Sequence, residues 1–209
     1  MNTWQVLAIV ILGLVFLFIT LLIFVTVNLY PFLAITNRVK ADVLVVEGWL
    51  PDCALEEAIA EFNTGAYQTI IATGGPIPQG SYLLNYKTYA ELAAATLLAL
   101  GFDSNQLVIV PAPAAIKDRT LTAAIALKQT LFTAHPTVRS LNLLTLSVHA
   151  RRSQYVYQKV LGSEVDVGVI SVTDPSYDAN RWWNSSSGFK WVMIEAISYL
   201  YIRLFNLDA

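Results

Sequence analysis

The chain opens on an apolar run that has no polar face. Across residues 6–30 nearly every position is Leu, Ile, Val or Phe, and no charged side chain occurs in residues 1–37. A bilayer crossing needs about 20 apolar residues, so this run is long enough to span with some tilt. A soluble helix of that length keeps one side polar, and a cleaved signal peptide has a shorter apolar part of about 7–15 residues behind basic residues. Here no Lys or Arg precedes the run and no clear Ala-x-Ala follows it, so residues 1–37 read as an uncleaved anchor. Trp4 and Tyr30, at the two ends of the run, suit the aromatic belts of a membrane surface.

Residues 38–209 follow a different rule. Short, continuous, β-rich apolar runs at 43–46, 69–73, 107–110, 141–146 and 165–172 alternate with helical periodicity at 53–63, 86–100, 120–132 and 155–161. Continuous apolar strands belong to parallel sheets covered on both faces, and alternation with helices implies right-handed crossovers. The expected fold is α/β: an N-terminal transmembrane helix, then a doubly wound, mostly parallel five-stranded sheet in a three-layer, Rossmann-like sandwich. Gly101 and Gly162 stand where helices should stop. The tail differs. Residues 173–188 are polar and aromatic, including Trp182-Trp183, and 189–205 read as a helix with Met193, Ala196, Ile197, Leu200 and Leu204 on one face. That helix, interrupted by Glu195 and Arg203, is expected to pack on the sheet. The alternative is a place on the bilayer surface, for which Trp191, Tyr199 and Tyr201 are suited.

Composition adds three constraints. Hydrophobic residues make up 56% and charged residues 13%, an excess that sits mostly in the anchor. The net charge is -2 with no basic run, which argues against nucleic acid as a partner. The single cysteine, Cys53, cannot form an internal disulfide, so it leaves the compartment open and reads as a small buried residue. Arg38 and Lys40 after the span favour a cytoplasmic domain, with Asp42 close by to weaken the bias.

In a parallel sheet every strand C-terminus lies on one edge, and open α/β folds bind ligands there. That edge collects Glu47 and Gly48, Gly74 and Gly75, Asp118, Arg119 and Thr120, then Ser147, His149, Arg151 and Arg152. Glycines admit close backbone approach, helix N-termini favour negative charge, and arginines offer forked donors. The combination points to an anion site for a phosphosugar or nucleotide-like molecule. Gly74, Gly75, Arg119, Thr120, Ser147, Arg151 and Arg152 would contact the ligand, and His149 would act as general acid/base. Arg151 and Arg152 must diverge on a helix, so one faces the site and the other solvent. Ser147 and His149, two apart in an extended segment, point to opposite sides. No Gly-x-Ser-x-Gly elbow, P-loop or dinucleotide fingerprint is present. No cofactor is specified. No metal is expected, since His135 belongs to the other edge and His149 lacks spaced co-ligands.

The segments Ala41-Asp42-Val43-Leu44-Val45-Val46-Glu47-Gly48, Ile70-Ile71-Ala72-Thr73-Gly74-Gly75 and His149-Ala150-Arg151-Arg152-Ser153 occur in that order, followed by Glu195. Together they resemble the ElyC/SanA/YdcF family of bacterial envelope proteins, over about residues 40–205. The resemblance implies a Rossmann-like domain, often tethered to the inner membrane and linked to cell-wall (peptidoglycan) and envelope biogenesis. It aligns Arg152 with the family's motif arginine and Glu195 with a glutamate of its last helix, but supplies no reaction. Several anchored members place the domain outside the cytoplasm. The family's Asn-Thr-x-x-Asn is here Arg119-Thr120-Leu121-Thr122-Ala123, so contacts made by those amides are lost. A second expectation is a non-catalytic membrane scaffold that binds a protein through Trp182-Trp183.

Overall fold

The structure is a computed structural model that describes residues 2–80 and 82–205, so the last four positions of the expected 38–209 domain lie outside the described residues. Helix α1 (Thr3–Leu33) is followed by β1 (Val43–Glu47), α2 (Asp52–Thr64), β2 (Thr69–Gly74), α3 (Tyr89–Ala99) and β3 (Leu107–Pro111). Then come α4 (Arg119–Ala134), β4 (Ser140–Leu146), α5 (Ala150–Leu161), β5 (Asp166–Val172) and α6 (Ser186–Leu204). All strand pairs are parallel, and the sheet order is β3-β2-β1-β4-β5. The chain therefore winds outward from β1 in one direction, then crosses back to β4. The switch point lies between β1 and β4.

Side-chain alternation explains the three layers. Val43 and Val45 point to one face of β1, where they join α4 and α5 through Ala124, Leu127, Val156 and Val160. Leu44 and Val46 point to the other, against α2 and α3 through Leu55, Ala58, Ala94 and Leu97. Leu44, Val45 and Val46 are fully buried, and each such side chain contributes about 1.5–3 kcal/mol of burial. The chain is thus an α/β protein with a Rossmann-like parallel sheet behind a long apolar helix. That helix has mean hydropathy 3.3 over its most apolar window, long and apolar enough to cross a membrane.

Helix starts depart from the periodic pattern for identifiable reasons. Residues 86–88 are not helical because Thr88 is the N-cap of α3, its hydroxyl accepting from Glu91 N while the Glu91 carboxylate accepts from Thr88 N. α5 starts at Ala150 rather than 155, directly from a 3-10 turn at Ser147–His149. α6 starts at Ser186 rather than 189, capped by the Ser185 hydroxyl. Its inward face is corrected in part, since Met193 and Ala196 do pack partly buried beside Leu33, Tyr177 and Trp182. Gly188, Val192, Glu195 and Ile202 are buried, whereas Ile197, Leu200 and Leu204 are exposed. A helix apolar on nearly every side carries no directional signal in its periodicity, and the buried positions include the glutamate. Cys53 is exposed, not buried, because the inward turn of α2 is taken by Ala54 and Leu55.

After α1 the chain runs back along β5, where Asn37 bridges Val169 in antiparallel fashion. Asn142 holds this segment by accepting from Val39 N at 2.9 Å and donating to Val39 O at 2.8 Å. Gly168 lies beneath it, and a Cβ there would collide with the Asn142 side chain and the backbone of Asn37 and Val39.

Candidate functional site

The switch point brings four elements together. β1 delivers Glu47, β4 runs into the Ser147–His149 turn, α5 presents Arg152 and Ser153 from its first turn, and α6 lowers Glu195 onto them. Glu195 is buried and accepts a side-on fork from Arg152, Nε to Oε2 at 2.7 Å and Nη2 to Oε1 at 3.0 Å. Its Oε1 also lies 2.9 Å from His149 Nδ1. A carboxylate only accepts, so Nδ1 carries the proton in that contact. The Nη2 group of Arg152, 2.9 Å from the same nitrogen, is then a second donor gathered by one acceptor.

The opposite nitrogen of His149, Nε2, faces Glu47 Oε2 at 3.5 Å. Trp49 meets the imidazole edge to face, with ring centroids 5.0 Å apart. Glu47 is 3% exposed and held by hydroxyls from below: Ser153 donates to Oε1 at 3.1 Å and Thr145 donates to Oε2. The imidazole is therefore held in position by Glu195, with its second nitrogen turned toward another carboxyl group. Burial alone would push the Glu195 carboxyl up, but His149 and Arg152 outweigh it and hold the group at about 2. Arg152 has the reciprocal balance: burial lowers it, and the bonds to Glu195 raise it further.

The fork to Glu195 uses Nε and Nη2 of Arg152, which leaves Nη1 facing Thr120 Oγ1 at a long 3.4 Å. Thr120 is in the first turn of α4. The N-cap of that helix, Asp118, sits in the left-handed region at φ 58° and makes no side-chain cap. The contrast with α3 is direct, because the start of α3 is closed by its own Glu91. The α4 start thus presents uncapped backbone N–H groups beside a guanidinium nitrogen that only the long Thr120 bond engages, with exposed Arg119 alongside.

The remaining candidates separate from this cluster. Ser147 is in a 3-10 turn with φ 48°, not an extended segment. Its buried hydroxyl pairs with Tyr30 at 3.0 Å and Tyr177 at 2.8 Å, away from His149. Burial, only partly offset by the Ser147 bond, pushes the Tyr177 phenol up to about 12. Arg151 does not point to solvent: its guanidinium lies 4.1 Å from the centre of the Phe32 ring and donates to the Phe32 carbonyl. Gly74 is packed under α3, where a Cβ would come 2.8 Å from Tyr89 Cβ, whereas Gly75 has room for one. Trp182 is buried against the anchor and only Trp183 of the pair is exposed.

Glu47, Trp49 and Ser153 join the site without having stood among the binding candidates. The signal available for Glu47 was its place as the last residue of an apolar strand. Among the described residues no group of three His, Cys, Asp or Glu side chains is arranged to hold a metal ion. Glu47 and Glu195 sit on opposite nitrogens of His149, so the three cannot converge on one ion. A cleft of about 410 Å³ opens at the other edge of the sheet, lined by Arg38, Glu61, Tyr67 and Asn142. Its main polar groups satisfy one another, since Arg38 forks onto Glu61 at 2.8–2.9 Å and Tyr67 and Asn142 are hydrogen-bonded to each other. Comparison of the chain with protein-family models, with curated proteins and with solved structures found no match.

Proposed function

We propose that this chain is a membrane-anchored protein of the ElyC/SanA/YdcF type that binds a phosphorylated or otherwise anionic small molecule at the C-terminal edge of its sheet. The carrying observation is the pairing of the uncapped α4 start with the one guanidinium nitrogen of Arg152 that Glu195 does not use. An oxyanion there would accept from Nη1, from Thr120 and from backbone N–H groups, with Arg119 closing over it. His149 stands as general acid/base, since Glu195 fixes its orientation and Nε2 is the nitrogen left for exchange. Phosphosugars and nucleotide-like molecules fit this donor set. The motif resemblance supports a place at the inner or plasma membrane and a role in envelope biogenesis.

The test is a thermal-shift screen of the full chain in detergent with inorganic phosphate, phosphosugars and nucleotides. A ligand at about 100 times its Kd stabilises by about 2.7 kcal/mol, which for a chain of this size is a rise of roughly 5–10 °C. Thr120→Val and Arg119→Ala, both outside the buried ion cluster, should lose much of that rise. No rise with any anion, or an equal rise in both variants, defeats the reading.

A further inference from the structure

The contacts between α1 and the rest of the chain climb in one direction. Asn37 bridges Val169 in the middle of β5, and the Thr36 hydroxyl accepts from Ser171 N nearer its C-terminal end. Leu33 packs on Val148 and Tyr30 reaches Ser147, both beyond the strand ends. Thr26 O accepts from Trp182 Nε1 in the 3-10 turn Ala179–Asn184 at 3.1 Å. Moving back along α1, the partners pass from β5 itself to the turn after β4 and then to the turn after β5, so the helix leaves on the side toward which the strands point. That is the side on which His149, Arg152 and the α4 start are found.

The division of α1 fits a bilayer. Thr26, Leu29, Tyr30 and Leu33, spaced i, i+3, i+4 and i+7, form its docked face, while every position in 3–25 is exposed. That exposed part is about 34 Å long at 1.5 Å per residue, against a hydrocarbon core of about 30 Å. The docked part rises about 10–12 Å, and the headgroup layer is about 5–8 Å deep on each side. The turn that touches Thr26 therefore falls at the level of the headgroups. It carries exposed Trp183, and Phe189 stacks on Trp182 beside it and is itself exposed. Arg181 and Lys190 flank them. Aromatic rings with adjacent cations are the side chains that suit a membrane surface.

We infer that the Ala179–Asn184 turn and the start of α6 seat in the headgroup layer of the membrane crossed by α1, so that the site-bearing edge of the sheet faces the bilayer. The inference needs α1 to span and is independent of which ligand the site takes. It also explains why no flexible linker separates the anchor from the domain: α1 continues as one helix into its docking face.

The test uses the full chain in phosphatidylethanolamine–phosphatidylglycerol vesicles with Cys53→Ser as background. Spin labels go on Trp183→Cys, on Phe189→Cys, and on Thr137→Cys, an exposed position at the opposite edge of the sheet. Collisions with oxygen and with a water-soluble nickel chelate report depth. The expected result is a several-fold higher oxygen-to-nickel ratio at 183 and 189 than at 137. Phe189, more than half exposed, carries the test if Trp183→Cys fails to fold. Equal ratios at all three positions overturn the inference. So does protection from both reagents, which would mean a second copy covers the turn, and so does failure of the protein to float with the vesicles.

Discussion

His149 and Glu195 stand 46 positions apart and meet at 2.9 Å, with Arg152 forked onto the same carboxylate. This contact ties α6 to the end of β4, so one ion cluster serves both packing and the site. Removing one member of a buried charge cluster leaves its partner uncompensated, at a cost of about 3 kcal/mol or more. Glu195→Ala should therefore lose about 3 kcal/mol in urea unfolding. Replacing both charges, Arg152→Met with Glu195→Leu, should cost less than Glu195→Ala alone. A loss below about 1 kcal/mol in the single variant would show that the cluster does not hold α6 in place.

The same carboxylate sets an acid limit. Its folded value of about 2 lies below the ordinary 4.5, so the folded state binds its proton less readily than the unfolded chain. The stability it contributes is present above pH 4.5 and is lost as pH falls from there through about 2. The shift corresponds to about 3 kcal/mol at 1.36 kcal/mol per unit. Between pH 6 and pH 3 the wild-type urea midpoint should fall more steeply than that of Glu195→Gln. Parallel curves would show that another carboxylate governs acid unfolding.

What the sequence made legible follows from how many residues report each feature. The strands are readable because 43–46, 69–73 and 141–146 are mostly apolar on both faces, as strands at a sheet centre covered on both sides require. The edge where chemistry gathers followed from strand direction alone. Side-chain directions did not. Arg151 and Arg152 are adjacent, and only the position of Phe32 and of Glu195 decides which goes to the anchor and which to the site. From the sequence Ser147 and His149 read as two positions apart in an extended segment, but the turn puts the Ser147 hydroxyl between two tyrosines from α1 and the tail. Glu195 was visible as an interruption in an apolar helix, without anything local to say that it points inward.

The two glycines after β2 should behave differently despite their adjacency. Gly74 has Tyr89 Cβ and Ala90 N within 2.8–3.1 Å of where a Cβ would lie, while Gly75 meets nothing closer than 3.6 Å. Gly74→Ala must push α3 off the sheet, and overpacking of this kind costs about 1–3 kcal/mol. Gly75→Ala should leave stability within about 0.5 kcal/mol. If Gly75→Ala nevertheless abolishes an anion-induced thermal shift, the backbone there approaches the ligand.

Two arginines offer a similar contrast. Arg151 covers Phe32 and caps its carbonyl, so Arg151→Ala should lower stability by about 1 kcal/mol. It should leave any ligand-induced shift intact. Arg119 is exposed at the α4 start, so Arg119→Ala should leave the melting point of the free protein unchanged and reduce the shift. Thermal melts of both variants with and without ligand read the two effects separately, and an inverted pattern would move the binding site toward the anchor.

Beneath Glu47 the fold carries a cost that substitution can remove. The hydroxyls of Tyr157 and Thr73 approach each other in the core, yet neither finds a partner of hydrogen-bond geometry. Burial, with the nearby Glu47 carboxyl, pushes the Tyr157 phenol well above its ordinary 10, so it is held as a neutral hydroxyl. An unpaired buried hydroxyl costs about 1–3 kcal/mol relative to water, and Tyr157→Phe removes it while leaving the ring that packs against α4 and the sheet. The variant should therefore be more stable than the wild type by about 1 kcal/mol, the reverse of what most core substitutions do. If Tyr157→Phe instead destabilises while Thr73→Val does too, the two hydroxyls form a real bond. Measured urea midpoints for the two single variants and the double variant decide between these outcomes, because a genuine bond gives a non-additive cycle and two unpaired groups give an additive one.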